Sequence, residues 1–240
     1  MKKLLTPLCL FALAASPGLA STITLASFKL ENYLAETGVG VLVEEDFQSF
    51  TEGNIADGYA TTVGTFASLG GEGSGGTIKN SQFDNDGSQL AMRDGQVYGR
   101  RSTTQYLTGD AKDDMFLDSN GTHGIAWTAS AGGSLFNKIV LSVTDAADEG
   151  AIMEIVVGDS IYRLENQYQG RKWLVTIGLN ERVSEASIFF RNWDSDGSMM
   201  ANDGFSLDDV VLADVPLPAS VALLLAGLGG LAAFGRRKPA

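Results

Sequence analysis

From residue 135 to residue 213 apolar and polar side chains alternate in short runs, each closed by a cluster of small polar residues and glycine. Alternation of period two sends successive side chains to opposite faces of an extended chain, so such a stretch folds as strands with one buried face. Residues 135–144 set Ile139, Leu141 and Val143 against Val140, Ser142 and Thr144, and residues 151–157 set Ile152, Glu154 and Val156 against Met153, Ile155 and Val157. With the polar turn 145–150 between them, the two runs read as an antiparallel hairpin. Residues 160–165, 172–177, 184–191 and 205–213 keep the rhythm, punctuated at Gly158-Asp159, Gln169-Gly170 and 178–180. Upstream, 41–50, 61–68, 89–93, 96–101, 115–118 and 124–128 are further strand candidates, and 28–36 is a candidate for one short helix. Many short strands, no fixed-period repeat and no long helix predict an all-β fold: a two-sheet antiparallel β-sandwich, jelly-roll-like.

The two ends of the 240-residue chain do not belong to that pattern. Lys2 and Lys3, the apolar run 8–15, the Pro17-Gly18 break and small residues Gly18 and Ala20 make residues 1–20 a secretory signal peptide, cut between Ala20 and Ser21. Cys9 is the sole cysteine; Pro7 and Leu8 beside it do not make a lipoprotein site, and its removal excludes disulfides, thiol catalysis and thiolate metal sites. At the other end, residues 219–235 carry no charge and are followed at once by Arg236, Arg237 and Lys238. As a helix this stretch spans roughly 26 Å, enough for a thin hydrocarbon core. Ala222, Ala226 and Gly230 place small residues on one face of it, which permits close helix contact. The basic stop belongs on the cytoplasmic side, which puts residues 21–214 outside. The expected organisation is therefore 1–20 signal peptide, 21–214 ectodomain and 215–240 sorting segment with a transmembrane helix and basic tail.

Just before the apolar stretch stand Val215, Pro216, Leu217, Pro218 and Ala219. Two prolines at alternate positions enforce an extended, hydrogen-bond-poor segment that neither strand nor helix can run through. Such a segment suits a protease cleft, and equally a stiff linker to a membrane anchor. The motif, the short apolar helix and the terminal Arg-Arg-Lys together resemble the VPLPA-CTERM variant of the PEP-CTERM sorting signals of Gram-negative bacteria. That resemblance implies an exosortase-type membrane processing enzyme as partner. It implies an inner-membrane-anchored precursor, then a place at the cell surface or outside the cell, in the setting of exopolysaccharide and other surface proteins.

Between residues 21 and 214 lie all 29 acidic residues and only 12 of the 17 Lys and Arg, a net charge of 12 − 29 = −17. Such a field repels phosphate backbones, which argues against a nucleic-acid partner, and attracts divalent cations. Glu44, Glu45 and Asp46 lie on an early strand and Asp208 and Asp209 on the last. The run 202–210 resembles the final strand of carbohydrate-binding jelly rolls, in which a first-strand carboxylate and a last-strand Asp hold a structural Ca²⁺. On that resemblance Glu45, Asp46, Asp208 and Asp209 are the expected ligands, since calcium takes six to eight hard oxygens; alternation alone would aim Asp208 or Asp209 at solvent. A second candidate puts Asn192, Asp194, Asp196, Gly197 and Asp203 at positions 1, 3, 5, 6 and 12 of a calcium loop. There Asn replaces the first Asp, Asp replaces the closing Glu and the flanks read as strands, so an ordinary turn is the competing reading. Asp84-Asn85-Asp86-Gly87 reads the same way with fewer ligands.

Other chemistries find less. The glycine-rich stretch 69–76 lacks the Lys-Ser/Thr ending of a phosphate loop and reads as a surface loop. His123 is the only histidine and no Gly-x-Ser-x-Gly elbow occurs, so no Ser-His-Asp site is indicated. A glycosidase needs only two carboxylates, which 29 acids do not locate. Tyr98, Tyr106, Trp127, Tyr162, Tyr168, Trp173 and Trp193 would stack on sugar rings if exposed, and Trp193, in a polar loop, is the one expected at the surface. The sequence thus predicts an exported, non-catalytic protein, binding or structural in the extracellular matrix. The alternative is an extracellular carbohydrate-active enzyme using an Asp/Glu pair.

Overall fold

A computed structural model describes residues 21–73, 86–103, 115–148, 150–201 and 203–216. The expected signal peptide, Leu217, Pro218, Ala219, the apolar stretch and the basic stop lie outside these residues, as do Asp84, Asn85 and Tyr106. Of the described residues 54% are strand and 5% helix, and the sheets are antiparallel, which places the chain in the all-β class.

The first sheet contains β1 (Thr22–Ser27), β2 (Val41–Glu45), β3 (Gly53–Ile55), β6 (Leu90–Arg93), β9 (Phe116–Asp118), β11 (Phe136–Thr144), β14 (Lys172–Val183) and β16 (Ser206–Ala213). Its order is β1-β14-β11-β16-β9-β6-β3, with β2 also on β16. The second sheet runs β13 (Ser160–Glu165), β12 (Ile152–Val157), β15 (Glu185–Trp193), β10 (Gly124–Ser130), β5 (Gly64–Ser68) and β4 (Tyr59–Thr61). A two-residue ladder, β7 (Gln96–Val97) with β8 (Arg100–Arg101), and one helix, α1 (Leu30–Thr37), complete the described elements.

The alternation read from the sequence sorts these strands correctly. Ile139, Leu141 and Val143 join Leu207 and Val210 in an apolar core shared with Ile125, Trp127, Ile155 and Phe190 of the second sheet. Their neighbours Val140 and Ser142 take the outer face of the first sheet, where Val140, Leu174 and Val211 pack against Tyr33 of α1. Trp127 is buried, donating Nε1–H to the Val63 carbonyl at 3.1 Å, and stacks on Phe66 at 5.4 Å.

Several boundaries and one pairing differ from expectation. β11 and β12 do not form a hairpin: β11 pairs with β14 and β16, whereas β12 pairs with β13 and β15 in the other sheet. The connection crosses between sheets because Asp145 (φ 66°) and Ala147 (φ 60°) adopt left-handed conformations and Ala146, Ala147 and Ala151 are buried within it. The strand expected over 41–50 stops at Glu45, since Phe47 (φ 59°) turns its ring into the core. Residues 96–101 break at Tyr98 (φ 53°), and 61–68 divides into β4 and β5 around a turn.

The strand registers give the molecule two distinct ends. Thr22 and Lys138 both face Gly178, and Lys138 also faces Ala213, so the first described strand and the last share one end. The turns β10–β11, β12–β13 and β14–β15 lie there too. The opposite end, called here the far end, carries the β11–β12, β13–β14 and β15–β16 loops.

Candidate functional site

The far end is built around buried charge. Asp118, at the close of β9, accepts Arg93 Nε at 3.1 Å on one carboxylate oxygen and Arg100 Nη1 at 2.7 Å on the other. Arg93 Nη2 also reaches Asn120 Oδ1 at 2.9 Å, and Arg100 Nη1 the Asn120 carbonyl at 3.3 Å. All three charged side chains are at most 5% exposed, so each guanidinium depends on protein oxygens in place of water. Beside them three more carboxylates, Asp145, Asp148 and Asp203, are buried. Burial, then the neighbouring Asp148 carboxylate and the Asp145 charge, push the Asp203 carboxyl up to about 9 against the opposing pull of Arg100. Burial also raises Asp145 to about 6, countered by the Gly170 N–H donating to its Oδ1.

A segment laid over this cluster brings aromatic rings to the surface. Gly99 sits so close that a Cβ there would lie 1.8 Å from Asp145 Oδ1 and 2.5 Å from Gly170 N, so the chain passes only because this residue has no side chain. On either side of that contact stand Tyr98, 60% exposed, and Tyr168, 67% exposed. Arg171 stacks over the Trp173 ring at 4.0 Å and the Tyr168 ring at 5.3 Å, and its Nη1 bonds Gln167 Oε1 at 2.8 Å. Arg100 lies 5.8 Å from the Tyr98 ring. Two exposed rings, Arg171 and the Gln167 amide, on a backbone locked from below and with the buried Arg100 beneath Tyr98, form a surface able to stack on and hydrogen-bond a flat, hydroxylated ligand. Trp173 is buried, Tyr162 packs against the core, and Trp193 is only half-buried; the exposed pair is tyrosine.

The expected calcium ligands are placed but not assembled. Glu45 lies opposite Val210 and faces the space between the sheets, where Oε1 accepts Phe47 N–H at 3.0 Å and Oε2 accepts Thr62 N–H at 3.0 Å and Thr62 Oγ1 at 2.8 Å. Asp46 is exposed and caps Gln48 N–H at 3.1 Å. Asp208 lies opposite Ser142, on the outer face, and its Oδ2 accepts Ser102 Oγ at 2.7 Å and Thr103 N–H at 2.6 Å. A bulge at Asp209 (φ 52°) turns that carboxylate to the same side, onto the Thr103 hydroxyl, and Tyr33 donates to the Asp209 carbonyl at 3.3 Å. Burial and then the Asp209 charge drive the Tyr33 hydroxyl well above the ordinary phenol range. The glutamate and the two last-strand aspartates thus serve opposite faces of one sheet.

The second candidate loop is a tight turn. Asp194 N–H bonds the Ser198 carbonyl at 2.8 Å, Gly197 N–H returns to the Asp194 carbonyl at 3.0 Å, and the Ser198 side chain, together with its N–H at 2.8 Å, lowers the Asp196 carboxyl. Asn192 is buried and donates to the Asp203 carbonyl, while the Asp203 side chain turns to Asp148 and Asp145. Among the described residues no group of three or more His, Cys, Asp or Glu is arranged to hold a metal ion.

At the opposite end the sorting segment begins. Asn137, 6% exposed, clamps Val215 from both sides: Val215 N–H donates to Oδ1 and Nδ2 donates to the Val215 carbonyl, each at 2.8 Å. Val215 and Pro216 then wall a cavity of about 230 Å³ whose other sides come from Thr22, Thr24, Asn137, Lys138, Thr176 and Gly178. Residues 214–238 match the model of the PEP-CTERM protein-sorting motif. A motif of this kind implies an exported, surface-sorted protein, made as a membrane-anchored precursor and processed by exosortase, a membrane enzyme. No curated protein sequence matches the chain. Among the described residues no helix is long and apolar enough to cross a membrane.

Sequence reasoning missed the Arg93–Asp118–Arg100 group and the Asp145–Asp148–Asp203 group. An arginine in a short strand reads as a solvated side chain, and only the β6–β9 and β9–β16 pairings bring these positions together. The one available signal was Arg93 and Arg100, which bracket Gly95 and Gly99.

Proposed function

We propose that the ectodomain is a jelly-roll-like β-sandwich that, once displayed, binds glycan of the extracellular matrix through its far end and catalyses nothing. The observation that carries this reading is the exposed pair Tyr98 and Tyr168, set on either side of the Gly99–Gly170 contact and backed by Arg100 and Arg171. Rings held by a fixed backbone lose little freedom on stacking, which favours sugar faces over flexible partners. Calcium is not required in this reading: Glu45 and the two last-strand aspartates lie on opposite faces of one sheet and accept hydrogen bonds from the chain. A glycan array with the secreted protein tests it: the Tyr98→Ala, Tyr168→Ala double variant loses about tenfold or more in affinity with an unchanged melting temperature. A blank array for the wild type, or equal binding by the variant, refutes it.

One observation favours the second reading, a carbohydrate-active enzyme. Asp145, raised to about 6, lies in the range of a general acid. Against it stands its burial beneath Gly99, out of reach of a sugar. Release of reducing ends from exopolysaccharide by the wild type, abolished in Asp145→Asn, would establish this alternative.

A further inference from the structure

At the end where the chain leaves for its sorting segment, the surface is unusually apolar. Val39, Val41, Leu42, Leu135 and Ile161 are between 42% and 60% exposed. Val39 and Val41 flank Gly40, whose carbonyl accepts Asp214 N–H at 2.8 Å, and Leu42 is the extra residue where the β2–β16 register slips. Leu135 precedes β11 two residues before the Asn137 clamp, and Ile161 follows the β12–β13 turn, where Ser160 Oγ bonds the Ser21 carbonyl at 2.6 Å. Three separate chain segments therefore bring apolar side chains to the one end that also carries Ser21 and Pro216.

The tether at that end is short and held. Val215 is fixed to Asn137, and the charge-free stretch begins at Ala219, three residues beyond Pro216. Three extended residues reach at most about 10 Å. A membrane segment starting there cannot let this end of the domain drift far from the lipid. Two ion pairs at the same end, Lys138–Glu36 at 2.6 Å and Arg182–Asp214 at 2.7 Å, neutralise its cations, while Asp159, Glu181 and Glu185 are exposed. Attraction to anionic headgroups is thus absent, and burial of apolar side chains is the available driving force.

We infer that in the anchored precursor the domain stands end-on upon the bilayer, with Val39, Val41, Leu42, Leu135 and Ile161 in the headgroup region and the far end turned outward. The inference rests on the anchored-precursor reading of the sorting motif. It puts Tyr98 and Tyr168 about 30 Å from the lipid, the length of β11, and leaves them free to meet matrix while the anchor is intact.

The test uses the full chain with Cys9→Ser, reconstituted into phosphatidylcholine vesicles. Single cysteines at 39, 42, 135 or 161, and at 98 or 168, carry an environment-sensitive fluorophore, and lipid-borne quenchers report depth. We expect flotation with the vesicles and quenching at the first four positions at least about threefold stronger than at 98 and 168, for probes within about 5–10 Å of the acyl boundary. A chain that floats with equal quenching at both sets overturns the docking alone. A chain that fails to float overturns the anchor reading and the docking with it. Absent quenching together with disulfide formation between copies of the unlabelled Val39→Cys chain assigns the face to a second copy and also overturns the proposal.

Discussion

Asp118 is the residue on which the far end turns. Its two oxygens hold two buried guanidinium groups, so Asp118→Asn removes a charge that neither arginine can replace from water. Breaking a buried pair in this way costs about 3–5 kcal/mol, and denaturant unfolding of the variant should show a loss of that order. Asp203 makes the opposite kind of prediction. Below about pH 4 its carboxyl is protonated whether the chain is folded or not. As pH rises the unfolded chain releases the proton while the fold retains it until about 9, so this contribution to stability is complete at low pH and is lost through that window. Asp145, raised to about 6, acts in the same direction over a narrower range, with Asp148 and Arg100 facing both. The denaturation midpoint of the wild type should therefore fall between pH 5 and pH 9, and Asp203→Asn should fall less and be the more stable protein at pH 9. Parallel profiles for the two would remove Asp203 as the cause. At this scale the sequence marked Asp203, Asp208 and Asp209 as carboxylates of interest but not their partners, because Thr103, Ser142 and Asp148 reach them only through long-range pairing.

Elements were more legible than residues, wherever the physics was local. Alternation in β11 encodes a core face and an outer face, and both are found as written; in β16 the bulge at Asp209 breaks it, so that Leu207 and Val210, three residues apart, share the core side. Pairing is not local. The turn 145–150 looks like a hairpin because its residues are polar, but Ala146 and Ala147 are buried and carry the chain from one sheet to the other. β1 went unread: it is an edge strand with threonines at alternate positions and little buried surface. Gly124, at the start of β10, shows how an element can hinge on what a residue lacks. It has φ 128°, and a Cβ would lie 2.0 Å from the Phe190 carbonyl oxygen across the ladder to β15. Gly124→Ala must therefore displace β10 from β15 or distort the backbone. We expect destabilisation on the order of 3 kcal/mol, read from the denaturation midpoint. A variant of unchanged stability would mean that the β10–β15 pairing begins further along.

For the whole molecule, charge separates two explanations that look alike. The −17 carried between residues 21 and 214 makes the folded state repel itself, so any salt stabilises it by screening. A specific calcium site would add a saturable gain seen with Ca²⁺ alone. Because Glu45 faces the core side of the first sheet and Asp208 and Asp209 its outer side, with oxygens engaged by Thr62, Ser102 and Thr103, we expect screening to account for the effect of salt. Melting temperatures measured in NaCl, MgCl₂ and CaCl₂ at matched ionic strength should accordingly rise together, and chelator should change nothing. A rise that saturates with micromolar Ca²⁺ and is absent with Mg²⁺ would require carboxylates that this arrangement keeps apart to meet round one ion, and would restore the ligand set of Glu45, Asp46, Asp208 and Asp209. The same measurement bears on display at the surface, since it separates stiffening by the buried Arg93–Asp118–Arg100 group from stiffening by a metal of the medium.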